Sequence, residues 1–441
     1  MRENGYNVCD AQYAQAAAHC KLIKDNGHFG TVKHLLFEDS AESPRFVQNI
    51  VEALALAEYN SEGFSILKRR CDIYDNDEEE FTAEIDGSCR QVIKEFARRT
   101  AVVLPNVTTL VVNAEKCHMY VSLYAAELVG YYGKQLRSLR IYCPERIPGP
   151  IFAPRLELLG IKMNPAFQPL SFTVEPHSLK SIHLVASNLN LFWNAFTCDQ
   201  DGALHFPNLE TLCFDYPEQD GWAYAEHGQD TPPRMTFPKL KHLIINGYDT
   251  DIKDFGYFMS PSLTSVQIYG RWVTALKLCK QLTVPLDVLQ LTVDSLDDSS
   301  SIGYIEDMSM LFQSIRNIKA VQCRIEVDGG FDISNLYWPN LTHLELSFIG
   351  SMAQIIEILP KLPDLVYLEL DYCPIYDDDL TRGIYMLNHL KSNRPEPLKS
   401  NIKVFHMFYL RMDYVQELEH AVQNFRWLLP KLEFFNTFFD Y

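Results

Sequence analysis

An α/β leucine-rich-repeat solenoid is the fold class this sequence predicts: a horseshoe with parallel strands on its concave face and helices outside. Three observations predict it. The stretch WPNLTHLEL, Trp338 to Leu346, is followed one repeat later by LPDLVYLEL, Leu362 to Leu370, and both read Pro-x-Leu-x-x-Leu-x-Leu. Counting the first leucine as position one, the apolar residues at positions four and six lie on one face of a short strand, and position one enters the core from the turn before it. Weaker copies recur along most of the chain, and a strand of this kind buries its apolar face only by stacking on neighbours. Finally, segments with apolar residues at helical spacing separate many of the phrases, so strand, helix and strand follow one another as in a parallel sheet with right-handed crossovers.

Residues 1–103 form the irregular part, mostly helical. Val32 to Phe37 reads as a first repeat strand. Helices are expected over Phe46 to Tyr59, after Ser43-Pro44, and over Ser88 to Val102. Between them Asp72, Asp75, Asp77, Glu78, Glu79 and Glu80 make an acidic loop; it lacks the glycine and the ligand spacing of a calcium loop and reads as solvated.

Residues 104–441 form the repeat domain. Its phrases begin at Val107, Leu136, Leu156, Leu179, Leu209, Leu240, Leu263, Leu286, Ile318, Leu341, Leu365, Ile402 and Leu432, between 20 and 37 residues apart. Most of these steps fall in or near the roughly 20–29 residues of leucine-rich repeats, and the longer ones leave room for a full helix or loop. Eight phrases carry proline two places before position one: Pro105, Pro154, Pro207, Pro238, Pro261, Pro339, Pro363 and Pro430. Proline there is expected to stop a preceding helix and favour an extended approach to the strand. Helices are expected over Cys117–Tyr132, Trp272–Leu282, Ile302–Ile315, Ser351–Leu359, Asp378–Leu390 and Met412–Leu429, and surface loops over Pro217–Pro233 and Asp294–Ser301. The last phrase ends in the apolar FFDY without a polar cap.

The chain holds 57 acidic against 39 basic residues, a formal charge of -18. That balance argues against nucleic acid and against an anionic membrane as partners, and it is compatible with a basic protein surface. Eleven cysteines are an odd number without a disulfide framework, and no Cys-x-x-Cys pair supports a zinc site. The first twenty residues carry no basic-then-apolar signal, and no run of 18 apolar residues occurs, so a soluble, cytoplasmic or nuclear protein is expected. There is no Gly-x-Ser-x-Gly elbow, Walker loop, Gly-x-Gly-x-x-Gly or His-Glu-x-x-His, so no catalytic residue, cofactor or metal ligand set is expected. Histidines such as His34, His183, His242, His343 and His406 fall on outward strand positions and read as polar residues of a wet sheet face.

The outward positions are also where a protein partner would be held, on the concave face. The candidates are Arg140, Tyr142, Asp215, Tyr269, Arg324, His343, Glu345, Tyr367, Glu369 and Asp371. Aromatic side chains and arginines are frequent interface anchors, and Glu345, Glu369 and Asp371 form an acidic group on adjacent phrases.

The phrase LVYLELDYCPIYDDDL, Leu365 to Leu380, resembles the cysteine-containing repeats of F-box/leucine-rich-repeat proteins. Cys373 stands at the ninth position, where that subtype places cysteine or asparagine, and Ile375 and Leu380 approximate the apolar positions that follow. FPNLETLCF (Phe206 to Phe214) and FPKLKHLII (Phe237 to Ile245) resemble the irregular repeats of fungal F-box-type proteins. The resemblance implies a non-catalytic scaffold that holds a substrate for an SCF-type ubiquitin ligase. In the family an F-box of three helices, preceding the repeats, docks on a Skp-type adaptor. This chain reaches its first strand-like phrase at Val32 without such a segment, so contact with a Skp-type adaptor would need an F-box upstream. The alternative is a regulatory horseshoe resembling the Ran GTPase activator, which requires an exposed arginine at a repeat edge; Arg140 and Arg324 are the candidates.

Overall fold

The structure, a computed structural model, describes residues 33–39, most of 91–114, 119–142, 151–163, 172–173, 176–186, 196, 203–215, 234–246, 258–294, 314, 320–330, 340–350, 352–374, 379–393, 396–409 and 423–439. Among them the chain forms an α/β fold dominated by parallel strands. It divides into two compact units, Met1–Leu209 with Ala223–Met235, and Glu210–Trp222 with Thr236–Tyr441.

The first unit contains β1 (His34–Asp39), β2 (Thr109–Ala114), β3 (Ser138–Tyr142), β4 (Ile151–Phe152), β5 (Leu158–Met163), β6 (Phe172–Thr173), β7 (Ser181–Ala186) and β8 (Ala203–His205). Five of these run side by side and parallel in the order β1-β2-β3-β5-β7, while β4 pairs with β6 alone. β1 lies directly against β2, with Leu35 opposite Leu110, so no strand stands between them. The expected helix at 46–59 and the acidic loop lie outside the described residues, whereas the described residues of 91–102 are helical.

The second unit contains β9 (Thr211–Asp215), the larger sheet strands β11 (His242–Asn246), β12 (Ser265–Arg271), β13 (Leu286–Asp294), β14 (Ala320–Gly330), β15 (His343–Gly350), β16 (Tyr367–Pro374), β17 (Val404–Tyr409) and β18 (Phe434–Phe439). A short β10 (Arg234–Thr236), whose first two residues belong to the first unit, precedes β11. The order β9-β11-β12-β13-β14-β15-β16-β17-β18 follows the chain, and every pair is parallel.

The phrase sets the register of both ladders. In the first unit Leu110, Leu139, Leu159 and Ile182 stand opposite one another at position four. In the second, Leu212, Leu243, Val266, Leu289, Cys323, Leu344, Leu368 and Phe405 do the same, and all of these residues are buried. Each side chain so placed contributes roughly 1.5–3 kcal/mol of burial before entropy is subtracted. The core is therefore a row repeated strand by strand, not a single centre.

One expected register is corrected. The phrase placed at Ile318 begins at Ala320, which pairs with Leu286, and Cys323 pairs with Leu289. Val321, expected at a core position, is 41% exposed. The slip is of two residues, which keeps the same strand face inward, and the apolar run Ile318-Lys-Ala-Val-Gln-Cys offered both choices.

The prolines do something more specific than hold the chain extended. The N–H of position one donates to the carbonyl three residues earlier in Leu156→Ala153, Leu209→Phe206, Leu240→Phe237, Leu263→Ser260, Leu365→Leu362 and Leu432→Leu429, at 3.0 to 3.3 Å. Pro154, Pro207, Pro238, Pro261, Pro363 and Pro430 thus occupy the second place of a four-residue turn, where a fixed φ near −65° suits the geometry. The residue before each proline (Ala153, Phe206, Phe237, Ser260, Leu362 and Leu429) is buried, a further inward position that the three-leucine reading did not contain.

Next to these turns runs a spine of shared carbonyls. The carbonyl of position two accepts from two successive N–H groups of the following phrase, as Thr108 does from Arg137 and Ser138 at 2.8 and 3.1 Å, and Thr342 from Val366 and Tyr367 at 2.8 and 3.0 Å. The side chains at that position also pair between neighbouring phrases, Lys180 with Glu157 at 2.7 Å, Lys241 with Glu210 at 2.9 Å and Lys403 with Glu433 at 3.1 Å. These pairs are exposed and each contributes at most about 1 kcal/mol.

Helices pack on the leucine side. Met119–Tyr132 buries Tyr124, Ala125, Leu128, Val129 and Tyr132, one helical face. Trp272–Gln281, Met352–Ile358 continued by the 3-10 turn Leu359–Lys361, and Asp379–Asn393 agree with the expected helices to within three residues at each end. The expected Ile302–Ile315 and Met412–Leu429 helices lie largely outside the described residues, of which 314 and 423–428 are helical. Among the described residues no helix is long and apolar enough to cross a membrane.

Candidate functional site

Since positions four and six face the leucine side, positions three, five and seven face the other way. This open face carries every candidate residue, and pairing register shows which of them meet.

In the first unit Arg140 and Tyr142 lie on β3. The Tyr142 hydroxyl and His183 Nδ1, on β7, are hydrogen-bonded at 2.6 Å, with ring centroids 5.4 Å apart. The two strands are not neighbours, because β5 runs between them. Tyr142 crosses β5 over Gly160, where a Cβ would stand 2.6 Å from the Tyr142 hydroxyl and 2.9 Å from Arg140 Cγ. The missing side chain is what lets the phenol reach histidine.

In the second unit Asp215 and Tyr269 occupy position seven of β9 and β12, in register with Asn246 between them on β11. Asn246 Nδ2 donates to Asp215 Oδ1 at 2.6 Å, and the Cys213 thiol points at the same oxygen at 3.7 Å. Burial first, then the Asp215 charge and its hydrogen bond, pushes the Cys213 thiol up to about 12. It is accordingly a neutral donor at ordinary pH and not a thiolate nucleophile. Tyr269 is 42% exposed.

The other six candidates fall on three consecutive strands. Arg324, Glu345 and Glu369 stand opposite one another on β14, β15 and β16, and His343 stands opposite Tyr367. Asp371 follows in register with Ser347. Arg324 Nε is 3.6 Å from Glu345 Oε2, and the Tyr367 hydroxyl donates to Glu369 Oε2. Burial, that hydrogen bond and the charges of Glu369 and Glu345 all raise the Tyr367 pKa well above its ordinary value, so the phenol stays a donor. Rings continue across the face. His343 stacks on Tyr367 at 5.7 Å, Tyr367 meets His406 at 5.5 Å, and His406 meets Phe434 at 5.4 Å.

The candidates therefore form three separate places, Arg140 with Tyr142, Asp215 with Tyr269, and the row from Arg324 to Asp371, and not one site. Sequence reasoning omitted Gly160, His183, Asn246, His406 and Phe434 from the candidates. All five sit at positions three, five or seven of phrases already in hand, so the signal was the phrase position itself and not residue type. Chemically the third place offers rings, one guanidinium and two carboxylates on adjacent strands, a set suited to recognition. No protein-family profile matches the chain, and no curated protein matches it.

Proposed function

We propose that this chain is a leucine-rich solenoid acting as a non-catalytic protein-binding scaffold, with its partner held on the open sheet face of β14 to β18. The observation that carries the reading is the register-matched row of Arg324, Glu345, Glu369, His343 and Tyr367 continued by His406 and Phe434. Sheet positions not needed for the core are free to vary, and here five consecutive strands place rings and charges together. Tyrosine and arginine anchors among half-buried neighbours are the composition of an interface centre. On the resemblance of the Leu365–Leu380 phrase to F-box/leucine-rich-repeat proteins, the scaffold serves as a substrate receptor of an SCF-type ubiquitin ligase.

The test is quantitative co-purification from cells with wild type, with Arg324→Ala/Tyr367→Ala, and with Lys180→Ala, an exposed position-two residue of the first unit. Partners lost with the double variant and retained by Lys180→Ala are expected; identical partner sets for all three would remove the binding face. A Skp-type adaptor and a cullin among the proteins recovered with wild type are expected if the ligase role holds, and their absence would leave the scaffold without it.

A further inference from the structure

We propose, building on the binding reading above, that the partner presents an extended cationic segment. Its arginine or lysine side chain lies between the Glu345 and Glu369 carboxylates, with its stem on the ring row of His343, Tyr367, His406 and Phe434. The argument is charge complementarity combined with ring placement. Glu345 and Glu369 are half-exposed on adjacent strands and directly opposite in register. Tyr367 already donates to one oxygen of Glu369, which leaves the second oxygen and the rest of Glu345 to accept from an incoming group. Tyr367 and the half-exposed Phe434, 50% accessible, present faces to which a guanidinium or ammonium is attracted.

Among the described open-face residues of β14 to β18, Arg324 is the one guanidinium or ammonium already in place. Its 3.6 Å approach to Glu345 is longer than a hydrogen bond, and both side chains are about half exposed, so this internal pair yields readily to a better one. An acidic segment, or a second copy of this chain at -18, would set like charges against the two carboxylates. A neutral apolar segment would desolvate both carboxylates and supply no donor beyond the Tyr367 hydroxyl and the long Arg324 contact.

The experiment is fluorescence anisotropy of a labelled peptide of alternating arginine and serine against the full chain, with the same peptide carrying citrulline in place of arginine as the neutral control. The arginine peptide is expected to bind at least about tenfold more tightly than the citrulline one, and Glu345→Gln/Glu369→Gln to weaken it by a similar factor. A merely attractive acidic surface would respond alike to the loss of any carboxylate, whereas Glu157→Gln in the first unit should leave binding unchanged. Urea midpoints establish that each variant is folded. Equal affinity for the two peptides, or indifference to the double carboxamide variant, overturns the proposal. If Arg324→Ala/Tyr367→Ala still loses its cellular partners while the arginine peptide does not bind, the scaffold stands and the cationic partner does not.

Discussion

Tyr132, at the end of the helix Met119–Tyr132, is 2% exposed, and its hydroxyl has no hydrogen-bond partner among the described residues. Burial alone raises its pKa far above the ordinary phenol value of about 10. The folded state thus keeps this proton over a pH range in which the unfolded chain gives it up. The sign follows. Tyr132's contribution to stability is complete below about pH 10 and is lost as pH rises from there through the folded value. Tyr132→Phe removes both the unpaired hydroxyl and the ionisation. It should leave stability unchanged or raise it by up to about 1–3 kcal/mol at neutral pH. It should also flatten the decline in urea midpoint above about pH 10. A marked loss at neutral pH would mean that the hydroxyl has a partner, and an unaltered alkaline slope that burial does not hold the phenol protonated. No residue pattern announces this feature. A tyrosine at a helical core position reads as apolar, and only packing decides whether its oxygen is satisfied. By contrast Leu344 and Leu368 were legible as core from the phrase alone, because burial there follows from strand alternation.

At the scale of elements, what the sequence made legible was whatever repeats. The phrase sets strand register, since the position-four residues of four successive strands in the first unit align as the phrase numbering requires. It did not settle Ala320 against Ile318, because a two-residue slip costs nothing in facing. Nor did it reveal that Tyr142 reaches His183, since that contact depends on Gly160 in an intervening strand. Two glycines of one helical region show the same limit and make a paired prediction. Gly130 lies within Met119–Tyr132 and a Cβ there meets nothing within 4 Å. Gly133, just beyond the helix, is packed so closely that a Cβ would collide with the Phe152 carbonyl oxygen, which belongs to backbone and cannot swing aside. Gly130→Ala should therefore stabilise by about 0.5–1 kcal/mol through helix propensity. Gly133→Ala should destabilise by about 1–3 kcal/mol by forcing the β4 backbone away. Thermal unfolding of the two variants side by side is the check; equal shifts in one direction would reject the close approach.

On the scale of the whole molecule, a core laid down as rows has ends, and the ends are different from the middle. In a row of parallel strands each strand is held by its own burial and by its immediate neighbours. Ile402 and Phe405, in the β17 phrase with strands on both sides, are fully buried. Leu432 and Phe435, the same positions in the last phrase, are only half-buried although Phe435 packs on Phe405 at 5.0 Å and on Phe425 at 6.0 Å. The last repeat keeps its hydrogen-bonded ladder to β17 but surrenders part of the burial that stabilises the interior ones. Local opening free energy should fall accordingly towards this end, so that amides of β18 exchange with solvent well before those of β15 and β16. Phe405→Ala should cost about 3–5 kcal/mol, and Phe435→Ala distinctly less, because part of its surface is already wet. Native-state hydrogen exchange resolves the gradient strand by strand, and urea denaturation compares the two variants. Uniform protection from β15 to β18, together with equal costs of the two substitutions, would require that in solution another surface covers Leu432 and Phe435, and the apolar FFNTFF strand would then have to be counted as an interface and not as an end.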